Sequence, residues 1–363
     1  MQINSSNEYS PLKECIVGSV LNHSFNTSDP TFQMVHYGNL KDSTFTKSER
    51  YRIDKKRHKE RAEDLDNLAK VLEEHGVKVW RPDDMTTVRN LTTPHFTAIM
   101  TAPDQPRDTM LVVNNLLIDT PPTVRGRYFE NLHYRDILKH ITSGVHVSAP
   151  MSMMDDESIL FESADEKGGY VLRGRENIPH RLEMAFDAAN IVKISPFAIL
   201  MNIGTPAAEL GYWWLKELLP NMEVIPVHIT DDHIDGAIMP IGRNTMLYNP
   251  GLHTEESLKA LLPSRMRNWK FLATQDEDWP DDYTEDDIAV ASEQCMALNV
   301  LSISETKLLI PDAAVNTIKM LEENGFEPIP IPFRHSRLFG GGIHCSTLDI
   351  HREIKDWNFT QSI

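Results

Sequence analysis

A single cysteine, Cys345, follows three consecutive glycines that run from Gly340 to Gly342. Glycine allows the backbone to approach a substrate closely, and these positions carry no side chain that could cover the thiol. A glycine-rich segment loses much conformational entropy when it is ordered. Because this ordering is costly, an ordered glycine-rich segment beside a thiol indicates a nucleophilic cysteine rather than one that only packs in the core. The alternative interpretation is a flexible turn in front of a buried cysteine.

The segment from Thr230 to Gly236 gathers three acids around one histidine, His233. If a strand continues through this segment, His233 and Asp235 point to the same face and can reach one ligand. A solvated acidic loop is the simpler interpretation. A zinc site is the other alternative, but two carboxylates and one histidine, without further histidines at ligand spacing, make a poor ligand set.

Two further acids stand next to apolar runs. Asp187 lies in the segment from Ala185 to Val192, where a buried carboxylate must find a partner or destabilise the fold. A histidine that the carboxylate orients would be such a partner. Asp108 stands at the mouth of the apolar strand that ends near Val113, where the polarity of a strand's first residues is a sufficient alternative explanation.

Composition excludes several classes of function. At 363 residues, with 40% hydrophobic and 25% charged residues, the chain fits a globular protein with a sizeable core. The formal net charge of -17 argues against nucleic acid or an anionic membrane as partner and is compatible with a cationic ligand. No apolar run reaches the roughly 18 residues of a membrane span, and the N-terminus lacks the features of a secretion signal. Cys15, Cys295 and Cys345 are too widely spaced for a disulfide framework or a CxxC metal site, which favours the cytoplasm.

Five times along the chain, a helix and a strand occur as one unit. The units pair the helix from Leu65 to Leu72 with Val77 to Pro82, Tyr134 to Ile141 with Val145 to Pro150, the helix opened by Thr205 and Pro206 with Met222 to Val227, Ser257 to Leu262 with Trp269 to Leu272, and the helix after Pro311 with Phe326 to Phe333. Five units without a common sequence predict a pseudo-repeated α/β architecture, in which short mixed sheets are arranged around an axis.

A doubly wound parallel sheet is the alternative architecture, because it shows the same alternation of helix and strand. Its usual glycine-rich GxGxxG loop is absent. Four prolines also suit the edges of short sheets better than one long parallel sheet, namely Pro226, Pro328, Pro330 and Pro332. No linker or shift in composition divides the chain, so we expect a single domain over residues 1–363.

Five segments together resemble the glycine amidinotransferase family of the pentein superfamily. They are Asn7 to Gly18, Pro106 to Asp108, Phe186 to Ala189, His233 to Asp235 and Gly340 to Cys345, which recur in this order. The likeness extends from Asn7 to Arg352. It implies a five-bladed α/β propeller, which agrees with the five units, and an enzyme that moves the amidino group of L-arginine to an amine without a metal or organic cofactor.

The resemblance also implies a role for each candidate residue. Cys345 would be the nucleophile, His233 the acid and base, and Asp187 the carboxylate behind the histidine. Asp108 and Asp235 would hold the substrate guanidinium, a planar cation whose N–H pairs suit carboxylates on two sides. A histidine of near-neutral pKa could serve both half-reactions through an amidino-thioether intermediate, which predicts ping-pong kinetics.

The chain departs from the family pattern where a substrate carboxylate would bind. Glycine-using members carry an arginine that follows an Asn-Pro pair, whereas here Gly251 and Leu252 follow the pair Asn249-Pro250. Arg243 could substitute, or it is a surface turn residue. Asp232 and Glu293 are acids where glycine-specific members look neutral. They are either solvated surface or part of a site that favours a cationic amine as acceptor.

The resemblance and these departures together imply amidino transfer from L-arginine to a non-glycine, cationic primary amine, with release of L-ornithine, as in secondary-metabolite members of the family. A guanidine or amidine hydrolase of the arginine deiminase type is the alternative, with water in place of the amine. A catalytically silent binding protein is the third hypothesis, and the intact set of Cys345, His233 and Asp187 argues against it. We expect small-molecule substrates, no nucleic acid or membrane partner, and a cytoplasmic homodimer.

Overall fold

The computed structural model describes residues 1–24, 27, 29–35, 52–155, 158, 170–276, 282–292 and 294–354. These residues form five three-stranded sheets and one two-stranded ribbon. The strands are β1 (Leu12–Val17), β2 (Lys78–Trp80), β3 (Asn90–Thr92), β4 (Thr97–Ile99), β5 (Met110–Val113), β6 (Leu116–Asp119), β7 (Val145–Ser148), β8 (Ile191–Ser195), β9 (Ala198–Asn202), β10 (Glu223–Val227), β11 (Ile238–Gly242), β12 (Thr245–Tyr248), β13 (Lys270–Ala273), β14 (Leu301–Ser302), β15 (Lys307–Pro311), β16 (Glu327–Ile331) and β17 (Thr347–Arg352).

The five three-stranded sheets share one construction. Their orders are β17-β1-β2, β5-β6-β7, β8-β9-β10, β11-β12-β13 and β14-β15-β16. In each, the middle strand runs antiparallel to the first strand and parallel to the last. A helical segment connects the two parallel strands, as a parallel crossover requires. The five predicted units are confirmed, and the chain has the predicted α/β, five-bladed propeller fold.

The first blade is built from both ends of the described chain. Strand β17 pairs antiparallel with β1, so that Cys15 lies opposite Asp349. All but one residue of β17 and four of the six residues of β1 are buried. This pairing closes the ring of blades and ties the segment that carries Cys345, immediately before β17, to the N-terminal strand.

Five of the eight described helices begin after a residue whose side chain accepts a hydrogen bond from a backbone N–H of the first turn. The helices are α1 (Pro30–Val35), α2 (Lys55–Glu74), α3 (Pro106–Thr109), α4 (Arg135–Leu138), α5 (Pro206–Leu218), α6 (Glu255–Leu261), α7 (Glu285–Val290) and α8 (Val315–Glu323). Thr205 caps α5 with Pro206 at its first position, as the sequence predicts, and Asp54 caps α2. Among the described helices, none combines the length and apolar character needed to cross a bilayer.

A short helical turn precedes the first strand of four blades. Helix α3 precedes β5, and single 3-10 turns at Ala188–Asn190, Ile234–Gly236 and Met296–Leu298 precede β8, β11 and β14. Each of these turns contacts the next one around the ring. The pseudo-repeat therefore gathers the side chains of equivalent turns at one end of the propeller axis.

Candidate active site

The candidate residues come from equivalent places in the blades. Asp108 lies within α3, and Asp187 and His233 occupy the capping positions before the 3-10 turns that follow them. Asp235 lies within the turn before β11, and Cys345 lies two residues before β17. Residues far apart in sequence meet because the ring repeats one local geometry.

The Cys345 thiol is fully buried, at 0% exposure. Its Sγ lies 3.3 Å from Asp235 Oδ2, to which the thiol donates, and 3.1 Å from Asn299 Nδ2. Burial, followed by the charges of Asp235 and Asp108, raises the pKa of the Cys345 thiol well above its usual range. In this state the thiol form predominates, and a thiol is a much weaker nucleophile than a thiolate.

The three glycines serve close packing and not exposure of the thiol. A Cβ on Gly341 would lie 2.6 Å from the Cβ of Cys345 and 2.7 Å from Gln105 Nε2. Gly340 adopts a φ of +75°, which side chains disfavour. The sequence expectation of an uncovered thiol is wrong for this state, because Gly341 lets the backbone cover the cysteine directly.

The His233 segment is a turn and not the strand considered from the sequence. The Thr230 hydroxyl accepts a hydrogen bond from the Asp232 N–H at 3.1 Å, and Asp232 Oδ1 accepts from the His233 N–H at 2.7 Å. These side-chain contacts compete with strand pairing. Chain direction then changes at Ile234–Gly236, and strand β11 begins only at Ile238.

His233 is held among three acids. Its Nε2 lies 3.1 Å from Asp187 Oδ2, and its Nδ1 lies 3.9 Å from Asp108 Oδ2. Burial lowers the pKa of His233, but Asp108, Asp187 and Asp232 outweigh burial and raise it to about 10. The histidine is therefore an imidazolium at neutral pH, whereas the sequence interpretation assumed a pKa near neutrality.

Asp187 has fixed partners on both sides. The Thr123 backbone N–H donates to Asp187 Oδ1 at 3.1 Å, and the Thr123 hydroxyl donates to Oδ2. Burial raises the pKa of Asp187, but the hydrogen bond and charge of His233 bring it below its usual value. The sequence predicted that a buried Asp187 carboxylate needs a partner. In the structure that partner is His233, which Asp187 orients.

Asp108 and Asp235 each have one occupied and one bare oxygen. Arg127 binds Asp108 Oδ2, and Asp235 Oδ2 accepts from His344 Nδ1 at 2.8 Å. Both Oδ1 atoms are buried, and neither has a hydrogen-bond donor among the described residues. A bare carboxylate oxygen inside a protein is costly unless a ligand completes it.

Several of these acids border a single cleft of about 660 Å³, the open space at its mouth included. Asp108, Asp187, Asp232 and His233 line it, together with Gln105, Arg127 and Gln294. Within the described residues, no cluster of three or more His, Cys, Asp or Glu side chains is arranged to hold a metal ion.

Leu252, Arg243 and Glu293 were also considered from the sequence in connection with substrate binding, and the structure gives a different result for each. Leu252 is 51% exposed and is not among the described residues that line the cleft. Arg243 lies in the exposed turn between β11 and β12, where its charge acts on Tyr9. Glu293 lies outside the described residues, so its predicted role as an acceptor-binding acid stays a prediction.

Sequence reasoning missed Arg127, Asn299 and His344. Arg127 is one of two arginines that flank a glycine, and nothing local separates it from Arg125. Asn299 ends the turn before β14, where it donates from Nδ2 to Cys345 Sγ and accepts the Cys345 N–H at 3.0 Å. His344 lies within the motif from Gly340 to Cys345, but the sequence interpretation assigned a role only to Cys345.

Comparison with known proteins gives a consistent result, although no protein-family model matches the sequence. The chain is 28% identical to inosamine-phosphate amidinotransferase 1 of Streptomyces glaucescens over 356 residues, 95% of each chain. It is also 28% identical to the L-arginine:L-lysine amidinotransferase of Pseudomonas savastanoi pv. phaseolicola over 298 residues, 80% of this chain and 78% of the relative.

A solved structure agrees with these relatives. An amidinotransferase of the saxitoxin biosynthetic pathway from Microseira wollei superposes with a TM-score of 0.82 and 25% identity, covering 98% of this chain and 99% of its own. The five blades are those of an α/β propeller of the pentein type. The chain is similar to amidinotransferases over nearly its whole length, and it is an enzyme that transfers amidino groups.

Proposed function

We propose that this enzyme moves the amidino group of L-arginine through Cys345 to a primary amine other than glycine, and releases L-ornithine. The bare oxygens of Asp108 and Asp235 carry the proposal. Two buried carboxylates, each with one oxygen already occupied, match a planar cation that offers N–H groups on two edges. Asp235 also touches the Cys345 thiol, so a guanidinium held there has its central carbon next to sulfur.

The charges of the site support the order of the chemical steps. A bound guanidinium offsets the two carboxylates that raise the thiol pKa, and the thiol then loses its proton to solvent. The thiolate attacks the guanidinium carbon, and the bond to the ornithine nitrogen breaks as the His233 imidazolium gives that nitrogen a proton. The incoming amine attacks the amidino-thioether, returns a proton to His233 and releases the thiolate.

The cleft supports a cationic acceptor. Asp232 lines it beside His233, the group that must accept the proton of the incoming amine. From the sequence alone, Glu293 would add a second acid. The names of the relatives include inosamine phosphate and L-lysine, so the family is not restricted to glycine.

A product assay tests the proposal. The enzyme is incubated with L-arginine alone and with L-arginine plus lysine or a diamine, and ornithine, citrulline and guanidinylated amine are measured. Ornithine and guanidinylated amine in equal amounts are expected, whereas citrulline without an amine product would make the enzyme a hydrolase. Mass spectrometry after arginine alone should find the amidino adduct on Cys345. Cys345→Ser should abolish the adduct. Cys295→Ser, which changes another buried thiol, should retain it.

A further inference from the structure

His344 is a buried histidine that the transfer steps do not use. Its side chain is 2% exposed, with Nδ1 2.8 Å from Asp235 Oδ2 and Nε2 3.5 Å from Glu8 Oε2. Both ring nitrogens thus face carboxylate oxygens. An imidazole can donate to acceptors on both sides only when it carries two N–H groups, which makes it a cation.

The carboxylate behind His344 is itself firmly ionised. Glu8 Oε1 accepts the backbone N–H of Lys193 at 3.1 Å, and Glu8 Oε2 lies 3.7 Å from Lys193 Nζ and 3.6 Å from an Arg107 nitrogen. Burial raises the pKa of Glu8, but Lys193, His344 and Arg107 outweigh it and lower the pKa to about 2. Lys193 and Arg107 also bind Asp349, which lies opposite Cys15 in the first blade.

The groups that face His344 come from three parts of the ring. Asp235 faces it from the turn before β11 and Glu8 from the segment before β1, while Arg107 of α3 donates through Nε to the His344 carbonyl at 2.9 Å. Cys345 is its chain neighbour and shares Asp235 Oδ2 with it. A charge on His344 is therefore felt by Asp235 and, through it, by the thiol.

We infer that His344 is a positioning residue of the transfer reaction, a fixed cation that turns Asp235 Oδ2 inward, leaves Oδ1 for the substrate and favours ionisation of Cys345. This inference rests on the proposed function of Asp235. When the thiol ionises, two negative charges stand 3.3 Å apart, and the imidazolium on the same carboxylate oxygen offsets them. Without that cation, the thiolate loses stabilisation, although the cysteine and the carboxylate remain.

The test measures the thiolate directly in the full-length enzyme. Cys345 of wild type and His344→Gln is alkylated at one mildly alkaline pH with iodoacetamide and with the smaller methyl methanethiosulfonate, and labelling is read on the Cys345 peptide. His344→Gln should slow both reagents by the same factor, about tenfold or more, because the thiolate fraction falls. The matched control, His335→Gln, removes a histidine that binds Glu60 away from the cleft and should label as wild type does.

Unchanged labelling in folded His344→Gln overturns the inference, and so does slowing confined to the bulkier reagent, because access and not charge would have changed. If His344→Gln does not fold, Glu8→Gln replaces it. That variant keeps the histidine but removes one of the two carboxylates that face it, so both reagents should label Cys345 more slowly. Wild-type labelling rates in Glu8→Gln would overturn the inference. Because labelling needs neither arginine nor an acceptor, its result is independent of the product assay that tests the proposed function.

Discussion

Cys345 Sγ lies 3.3 Å from Asp235 Oδ2, so the candidate nucleophile donates its proton toward the same carboxylate that leaves its other oxygen bare for a ligand. Asp235 thus helps to keep the thiol protonated in the free enzyme, and its Oδ1 can accept hydrogen bonds from a bound cation. A bound cation offsets the charges of Asp235 and Asp108, which together with burial raise the thiol pKa. Binding and activation are therefore coupled through Asp235.

Asp235→Asn should make the thiol more reactive toward iodoacetamide and the enzyme worse at using arginine. Removing the charge removes a cause of the raised thiol pKa, whereas the lost ion pair should weaken arginine capture by at least about 2 kcal/mol in kcat/KM. The measurements are Cys345 labelling and steady-state kinetics. Asp231→Asn, at an exposed acid of the same segment, is the control; parallel loss of labelling and turnover in Asp235→Asn would contradict the coupling.

Asp187→Asn should act mainly on kcat, with a loss of about a hundredfold or more. The Asn side chain can still accept the Thr123 N–H at Oδ1, but it no longer orients and charges His233. Steady-state kinetics over a range of arginine concentrations separate the two parameters. A change confined to KM would assign Asp187 to substrate binding instead.

Gly341→Ala should abolish turnover although it adds only a methyl group. The new Cβ would lie 2.6 Å from the Cβ of Cys345, a distance that forces the thiol or the turn to move. Gly204→Ala is the matched control, since its nearest atom would be 3.8 Å away. Activity and thermal midpoint are measured for both, and near-normal activity in Gly341→Ala would mean that the thiol position tolerates large shifts.

The sequence predicted the blades well because each is a local unit. The helix capped by Thr205 and the strand Glu223–Val227 depend on short-range signals, namely a cap, a proline and alternation of apolar residues. Edge strands were also indicated, because Pro226 cannot donate to a further strand. Asp108, Asp187 and Asp235 were named through a family resemblance and through their apolar neighbours.

The sequence could not predict the environment of each group. Asp235 and Cys345 are 110 positions apart, and their hydrogen bond depends on the closure of the ring. The burial of the thiol and the pKa of His233 follow from the density of acids around the axis, which no single segment reveals. The strand interpretation of the His233 segment was wrong because Thr230 and Asp232 bind the local backbone.

The pKa of His233 predicts a pH-dependent share of stability. A folded-state pKa of about 10, above an unfolded value near 6.5, gives stability that is complete below about pH 6.5 and is lost as pH rises to about 10. The free energy of unfolding of His233→Gln should therefore fall furthest below wild type at low pH, with the gap narrowing toward pH 10. Denaturant unfolding across this range measures the gap; a gap that is constant with pH would contradict the raised pKa. His75→Gln, at an exposed helix end, is the control.

The acceptor preference can be tested with two amines that differ in one charge. Putrescine and n-butylamine present the same reacting amine, but only putrescine carries a second ammonium for Asp232 to attract. We expect putrescine and lysine to be better acceptors than butylamine, and glycine to be poor.

Asp232→Asn keeps the oxygen that accepts the His233 backbone N–H and removes the charge, so it should reduce kcat/KM for putrescine by at least about fivefold more than for butylamine. Asp231→Asn, whose side chain is 88% exposed, should affect the two amines equally. Equal losses for both amines in Asp232→Asn would mean that this acid does not contact the acceptor, and efficient use of glycine by the unmodified enzyme would overturn the cationic-acceptor argument as a whole.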